Sequence, residues 1–174
     1  AIQQHFAPLY GMAPESADVT SYFDFLVEDG DALTVGALSI KCMHVPGHTP
    51  ACMAYAIADA IFVGDTLFMP DSGTARCDFP GGSASALFES VQKLLAMPAD
   101  TRLFVCHDYQ PNGRELSYVA TIGEHREANI HINDGSTQKE FVNLRTTRDK
   151  TLSMPSLMLP ALQVNIRAGK LPRN

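Results

Sequence analysis

The chain has no cysteine pair spaced as Cys-x-x-Cys, no long run of Lys or Arg, no internal repeat and no low-complexity tract. Its four cysteines, Cys42, Cys52, Cys77 and Cys106, are scattered and mostly embedded in apolar runs. That pattern argues against a Cys-rich zinc site and for buried, reduced thiols, because a core of this size needs no disulfide staple. With a net charge of −6 and no basic run, the chain carries no electrostatic footprint for nucleic acid or an anionic membrane, and small-molecule chemistry is favoured. No apolar stretch approaches the roughly 20 residues that span a bilayer. The opening AIQQHFAPLY lacks a basic and an apolar signal segment, so the expected compartment is the cytoplasm, or an organelle whose transit peptide is absent. What is present is 174 residues, 45% of them hydrophobic, enough for one domain with a real core.

The two ends differ in pattern. Residues 1–21 read as loop and short helix, with Pro8, Gly11 and Pro14 as breakers and no strand before them to open a sheet. Residues 33–35, 38–45, 53–57 and 61–63 are short apolar or alternating runs separated by Gly36, Pro46-Gly47 and Asp59-Ala60, a series of sequential antiparallel strands. Leu87, Val91, Leu94 and Leu95 then share one helical face, with Ser83 or Ser85 as cap and Pro98 as stop. Residues 103–106 read as a buried strand and 114–129 as a helix. Thr137 and Glu140 form a capping box that opens a helix through about Lys150. The tail, with Pro155, Pro160 and Gly169, reads as irregular, and Met154 and Met158 within it as core. Strands covered by helices predict a layered α/β or α+β sandwich.

Three strand ends carry the chemistry. In His44-Val45-Pro46-Gly47-His48-Thr49-Pro50 a Pro-Gly turn follows a strand. His44 and His48 have the spacing of a helical zinc pair, but Pro46 and Gly47 rule out a regular helix, so only one of them need be a ligand. Ile61-Phe62-Val63-Gly64-Asp65-Thr66-Leu67-Phe68 delivers an Asp after an apolar strand, and Leu103-Phe104-Val105-Cys106-His107-Asp108-Tyr109 repeats the arrangement with a His. Each alone has an ordinary explanation: a lone loop His is a surface or core residue, and an Asp after a strand is a turn or helix cap. Strand ends along one sheet edge are, however, where sites are usually built.

Taken together, PGHTP, GDTLF and CHDY, in this order and at these separations, resemble the later signature motifs of the metallo-β-lactamase superfamily. The resemblance covers nearly the whole chain and implies an αββα sandwich with metals at one edge of its sheets. An earlier HxHxDH motif, which supplies further ligands in that family, does not occur in these residues. The expectation is therefore that residues 1–174 are the C-terminal portion of one such domain, incomplete at the N-terminus and inactive alone. Ala75-Arg76-Cys77-Asp78-Phe79 is similar to the G-R-x-D-F element of persulfide dioxygenases, with Ala75 in place of Gly, and His107-Asp108-Tyr109 matches their HDY. The segment from Glu124-His125-Arg126 through Met154-Pro155-Ser156-Leu157 resembles the bacterial members of that group.

The resemblance implies one Fe(II) held by His48, Asp65 and a His from the HxHxDH motif, with His107 a ligand only if the site is dinuclear and otherwise just outside it. A 2-His-1-carboxylate face leaves open positions at which a persulfide sulfur and O₂ could react. The implied activity is oxidation of glutathione persulfide to sulfite and glutathione, in sulfide detoxification. The alternative is a glyoxalase II-like hydrolase of glutathione thiolesters using one or two Zn²⁺ ions, with Asp65 bridging and His107 on the second metal. A third reading is a non-catalytic fragment. Arg76 could pair with Asp78 or face a glutathione carboxylate, and the Tyr109 hydroxyl could orient the substrate sulfur. Arg145, Arg148 and Lys150 read as a solvated helix face, and His5, His125 and His131 as ordinary histidines. A homodimer is left open.

Overall fold

The computed structural model describes residues 23–171, together with Pro8. The reading of residues 1–21 as loop and short helix therefore lies, Pro8 apart, outside the described residues. The chain divides into two compact units, one of Glu28–Thr151 and one made of its two ends. No helix among the described residues is long and apolar enough to cross a membrane.

The larger unit is built on one six-stranded sheet whose spatial order follows the sequence. Strands β1 (Ala32–Val35), β2 (Leu38–His44), β3 (Met53–Ile57) and β4 (Ala60–Phe62) form an antiparallel meander. A crossover through helix α1 (Ala84–Leu95) then places β5 (Arg102–Phe104) parallel to β4, and β6 (Val119–Thr121) closes the sheet antiparallel to β5. A parallel pair needs such a crossover, and the apolar stripe read from the sequence supplies it. Ser83 caps α1, its hydroxyl accepting from the Ala86 amide at 3.2 Å. Leu87, Val91 and Leu94 are fully buried, each stabilising the fold by about 1.5–3 kcal/mol relative to exposure. They pack with Val45, Ile61, Val63 and Leu103 from the sheet, and with Phe141 of helix α3 (Gln138–Asp149). Thr137 and Glu140 form the expected capping box at the start of α3.

Three expectations are corrected. The segment 114–129 is not one helix: β6 pairs with β5, and only then does Thr121, with Glu124 in a second capping box, open helix α2 (Ile122–Ala128). The helical spacing around 114–121 lost to ladder bonds with a buried neighbour, a tertiary effect. The tail is not wholly irregular, since helix α4 (Met158–Asn165) forms in it. Pro160 sits in its first turn, where a missing N–H costs nothing. Met154, expected in a core, is 61% exposed. On the sheet face away from α1, Phe62 stacks on Phe104 with centroids 4.9 Å apart, and Phe62 remains exposed.

Candidate metal centre

All three strand-end motifs arrive at one end of the sheet. After β2 the chain turns at Pro46-Gly47, and the turn is stapled to α1 at its middle and at its cap: Ser90 Oγ donates to the Pro46 carbonyl at 2.7 Å and the Ser83 amide to the Gly47 carbonyl at 2.8 Å. Only glycine fits here. Gly47 has φ +145°, and a Cβ on it would lie 2.4 Å from the Leu87 Cα. The two histidines of this turn part ways. His44 Nε2 bonds the Pro50 carbonyl at 2.9 Å and so closes the turn on itself. His48 instead points its Nε2 toward Asp65.

The His48 Nδ1 lies 2.7 Å from the Arg76 carbonyl oxygen. A carbonyl only accepts, so Nδ1 carries the proton and Nε2 offers its lone pair. That Nε2 lies 3.9 Å from Asp65 Oδ2, too far for a hydrogen bond, so two ligand-type atoms face each other unbonded. On the other side, His107 Nε2 lies 3.1 Å from Asp65 Oδ1. Asp65, delivered by the turn after β4, thus stands between two imidazoles. Cys106 Sγ donates to the same Oδ1 at 3.1 Å, and Asp65, Cys106 and His107 are close enough together to share an ion. Although Cys106 is an exposed residue, partial desolvation of its thiol, together with that bond to Asp65, pushes it up to about 12.

The carboxylate of Asp65 and the imidazole nitrogens that face it suit a first-row divalent ion such as Fe(II) or Zn²⁺ in donor chemistry, although the group whose ligand atoms all lie close together is Asp65, Cys106 and His107, with His48 Nε2 standing off at 3.9 Å from Asp65 Oδ2. The fit rests on the lone pair that the Arg76 carbonyl forces onto His48 Nε2. Arg76 itself forks onto Asp78, Nε to Oδ1 and NH2 to Oδ2, both at 2.6 Å, and its guanidinium lies over the Phe79 ring at 5.0 Å. The ion pair holds the Asp78 carboxyl below its usual range. Phe79 also packs on the His48 ring, centroid to centroid 5.0 Å. Tyr109 is exposed, set edge-on to Phe68 at 5.1 Å and 6.3 Å from the His107 ring. Partial desolvation, with Asp65 and Cys106 nearby, raises its phenol above the ordinary value.

Two features escaped the sequence. Arg114 bridges Asp71 and Asp108, and Asp108 also accepts from the Ser117 amide, which pins the loop that presents His107. The guanidinium beside it holds the Asp108 carboxyl far below the usual range. The Asp in CHDY was the available signal, but its cation comes from a position no spacing rule selects. Arg145, expected on a solvated face, is instead fully buried and paired with Asp149, while Arg148 and Lys150 are exposed. The cysteine expectation also needs one correction: all four thiols are free, and Cys42 and Cys77 are buried, but Cys106 is exposed. His125 and His131, read as ordinary, are buried, and burial pushes each down to about 4.

A family model described as the metallo-beta-lactamase superfamily matches residues 4–107, more than half of the chain. Over 98% of its length the chain is 54% identical to a probable metallo-hydrolase of Burkholderia pseudomallei, covering 62% of that protein. Over the same share it is 48% identical to glyoxylase B2 of Dictyostelium discoideum, covering 59% of it. The human mitochondrial persulfide dioxygenase is 31% identical over 84% of this chain and 54% of its own. The chain thus spans about 60% or less of the length of these relatives. Among solved structures, ETHE1 from Myxococcus xanthus superposes with a TM-score of 0.73 at 32% identity, over 83% of this chain and 60% of that one.

Proposed function

Because the chain belongs to the metallo-β-lactamase superfamily, we propose that it forms part of an iron-dependent enzyme that oxidises glutathione persulfide to sulfite and glutathione. The observation that carries this reading is the pairing of one carboxylate, Asp65, with one imidazole whose Nε2 lone pair is fixed, His48. One further histidine completes a 2-His-1-carboxylate face. Fe(II) held there would supply open positions for a soft persulfide sulfur and for O₂. Overall, the persulfide reacts with O₂ and water, the S–S bond breaks, the outer sulfur leaves as sulfite and the inner sulfur as the thiol. The residues of this chain hold and shape. The Arg76 carbonyl sets the His48 tautomer, the Arg76–Asp78 fork and Phe79 wall the site, and the hydroxyl of the exposed Tyr109, whose ring lies 6.3 Å from that of His107, would donate to a substrate sulfur. The persulfide dioxygenase relatives and the ARCDF and HDY motifs support the reading.

A second reading, thiolester hydrolysis, is favoured by one specific observation: Asp65 faces His107 as well as His48, as a carboxylate shared between two metals would. The glyoxylase and metallo-hydrolase relatives support it too. Oxygen uptake by the intact, iron-loaded protein on adding glutathione persulfide is the test. Thiolester cleavage without oxygen consumption would replace the first reading with the second.

A further inference from the structure

Behind His48 lies a buried ion pair that the function described so far does not use. Arg145 and Asp149 sit one turn apart on α3, with relative side-chain exposures of 1% and 5%. Their contacts reach the loop of residues 74–78 and, through Arg145, His131 Nδ1 at 3.3 Å. Arg145 donates to the Thr74 carbonyl at 3.0 Å, and the second Asp149 oxygen, Oδ2, accepts from the Cys77 amide at 2.8 Å. The same loop is cast against His131, whose Nδ1 accepts from the Thr74 amide at 2.8 Å. That approach needs Gly73, which has φ +84° and where a Cβ would lie 2.1 Å from the His131 Nδ1.

The Cys77 amide and the Arg76 carbonyl belong to one peptide unit. In a trans peptide they point in opposite directions, so the unit links Asp149 on one side to His48 Nδ1 on the other, at 2.8 Å and 2.7 Å. A carboxylate that accepts from a peptide N–H draws electron density toward the carbonyl oxygen and strengthens it as an acceptor, more so in a buried setting. Metal-binding histidines commonly donate their other ring nitrogen to a carboxylate or a carbonyl. Here the two are in series.

We infer that Asp149 is a positioning residue for His48: through the Arg76–Cys77 peptide it fixes the proton on Nδ1 and aims the Nε2 lone pair at the metal site, while Arg145 holds Asp149 in place. The inference rests on the reading of His48 as a metal ligand. It also explains why α3, which contributes no side chain to the site, buries a full ion pair beside it.

The test uses the intact protein with ¹⁵N-labelled histidine, metal-free, and reads the His48 tautomer by NMR. Wild type is expected to show the Nδ1–H form. In Asp149→Asn, whose side chain is the same size but uncharged, that form should lose population, and zinc(II) affinity should weaken about 10–100-fold. If Asp149→Asn does not fold, Arg145→Met with Asp149→Leu removes both buried charges together, a replacement that buried pairs often tolerate, and should shift the tautomer in the same direction. An Nε2–H tautomer in wild type would overturn the inference with no variant needed. So would a zinc affinity that falls in Asp149→Asn while the tautomer stays unchanged, because Asp149 would then act only through the fold. Zinc titration of His48→Ala tests the ligand reading separately, and the metal-free tautomer decides the relay whichever way that titration comes out.

Discussion

The two sides of Asp65 are built differently. The His48 side chain is 14% exposed, commits Nδ1 to a backbone carbonyl, packs on Phe79, and is backed by a peptide that a buried carboxylate holds. The His107 side chain is 57% exposed, next to the exposed Cys106 and Tyr109, and its loop is tied down by the Arg114 fork onto Asp71 and Asp108. Buried hydrogen bonds in a low dielectric fix a geometry tightly and ignore salt, whereas exposed ion pairs hold more loosely and are screened; in the fork the Asp71 arm is exposed and the Asp108 side chain is buried. On the proposed reading, the difference would make His48 a preorganised ligand. It would leave His107 an adjustable one, suited either to a second metal or to a proton-handling group beside a single metal.

The comparison breaks most directly at Asp65 and His48. Replacing either by Ala in the intact protein should reduce iron to background by elemental analysis; near-normal iron in either variant would refute the assignment. Next in size is the support behind His48. Arg145→Leu leaves Asp149 buried without its cation, and should cost roughly 3–5 kcal/mol in denaturant unfolding, with little dependence on salt. The same side predicts a pH effect. His125 and His131 have folded-state values near 4, against about 6.5 in an unfolded chain. Between these values the unfolded state binds more protons, so stability is full above about pH 6.5 and falls as pH drops toward 4, by at most roughly 3 kcal/mol per histidine. Thermal unfolding across that range reads it, and a flat profile would mean these rings are hydrated in solution.

On the exposed side the effects shrink. His107→Ala should keep most of the metal while turnover drops about 10–100-fold; a fall from two metals to one per chain would favour the hydrolase. The smallest effect on turnover belongs to Arg114→Ala, which should loosen the His107 loop and leave the buried Asp108 carboxylate without its cation, with only the share of the loss carried by the exposed Asp71 arm closing as salt rises. A salt-independent loss would show that the fork works as a buried clamp and that the two sides are alike after all.

Legibility followed the range of the interactions. The stripe of Leu87, Val91 and Leu94, the Thr137–Glu140 capping box and the four meander strands are local patterns, and they appear where the spacing puts them. β6 was missed because Val119–Thr121 becomes a strand only through β5, and Pro160 misled because a proline in a first turn reads the same as one that breaks a helix. His48, Asp65 and His107 could be singled out because each follows an apolar strand. The fork of Arg114 could not, since its partners Asp71 and Asp108 lie 43 and 6 residues away.

The sequence by itself determined the four meander strands, the apolar face of α1, the capped start of α3 and the family, because apolar periodicity, caps and turns act over a few residues. Tertiary structure alone decided what surrounds them. It turned His48 toward Asp65 and His44 away, put Cys106 against the Asp65 carboxylate, and buried Arg145 with Asp149 behind the Arg76–Cys77 peptide. Those outcomes depend on how α1 and α3 settle onto the sheet. No window of sequence contains both a histidine at position 48 and the carboxylate at 149 that holds its peptide in place.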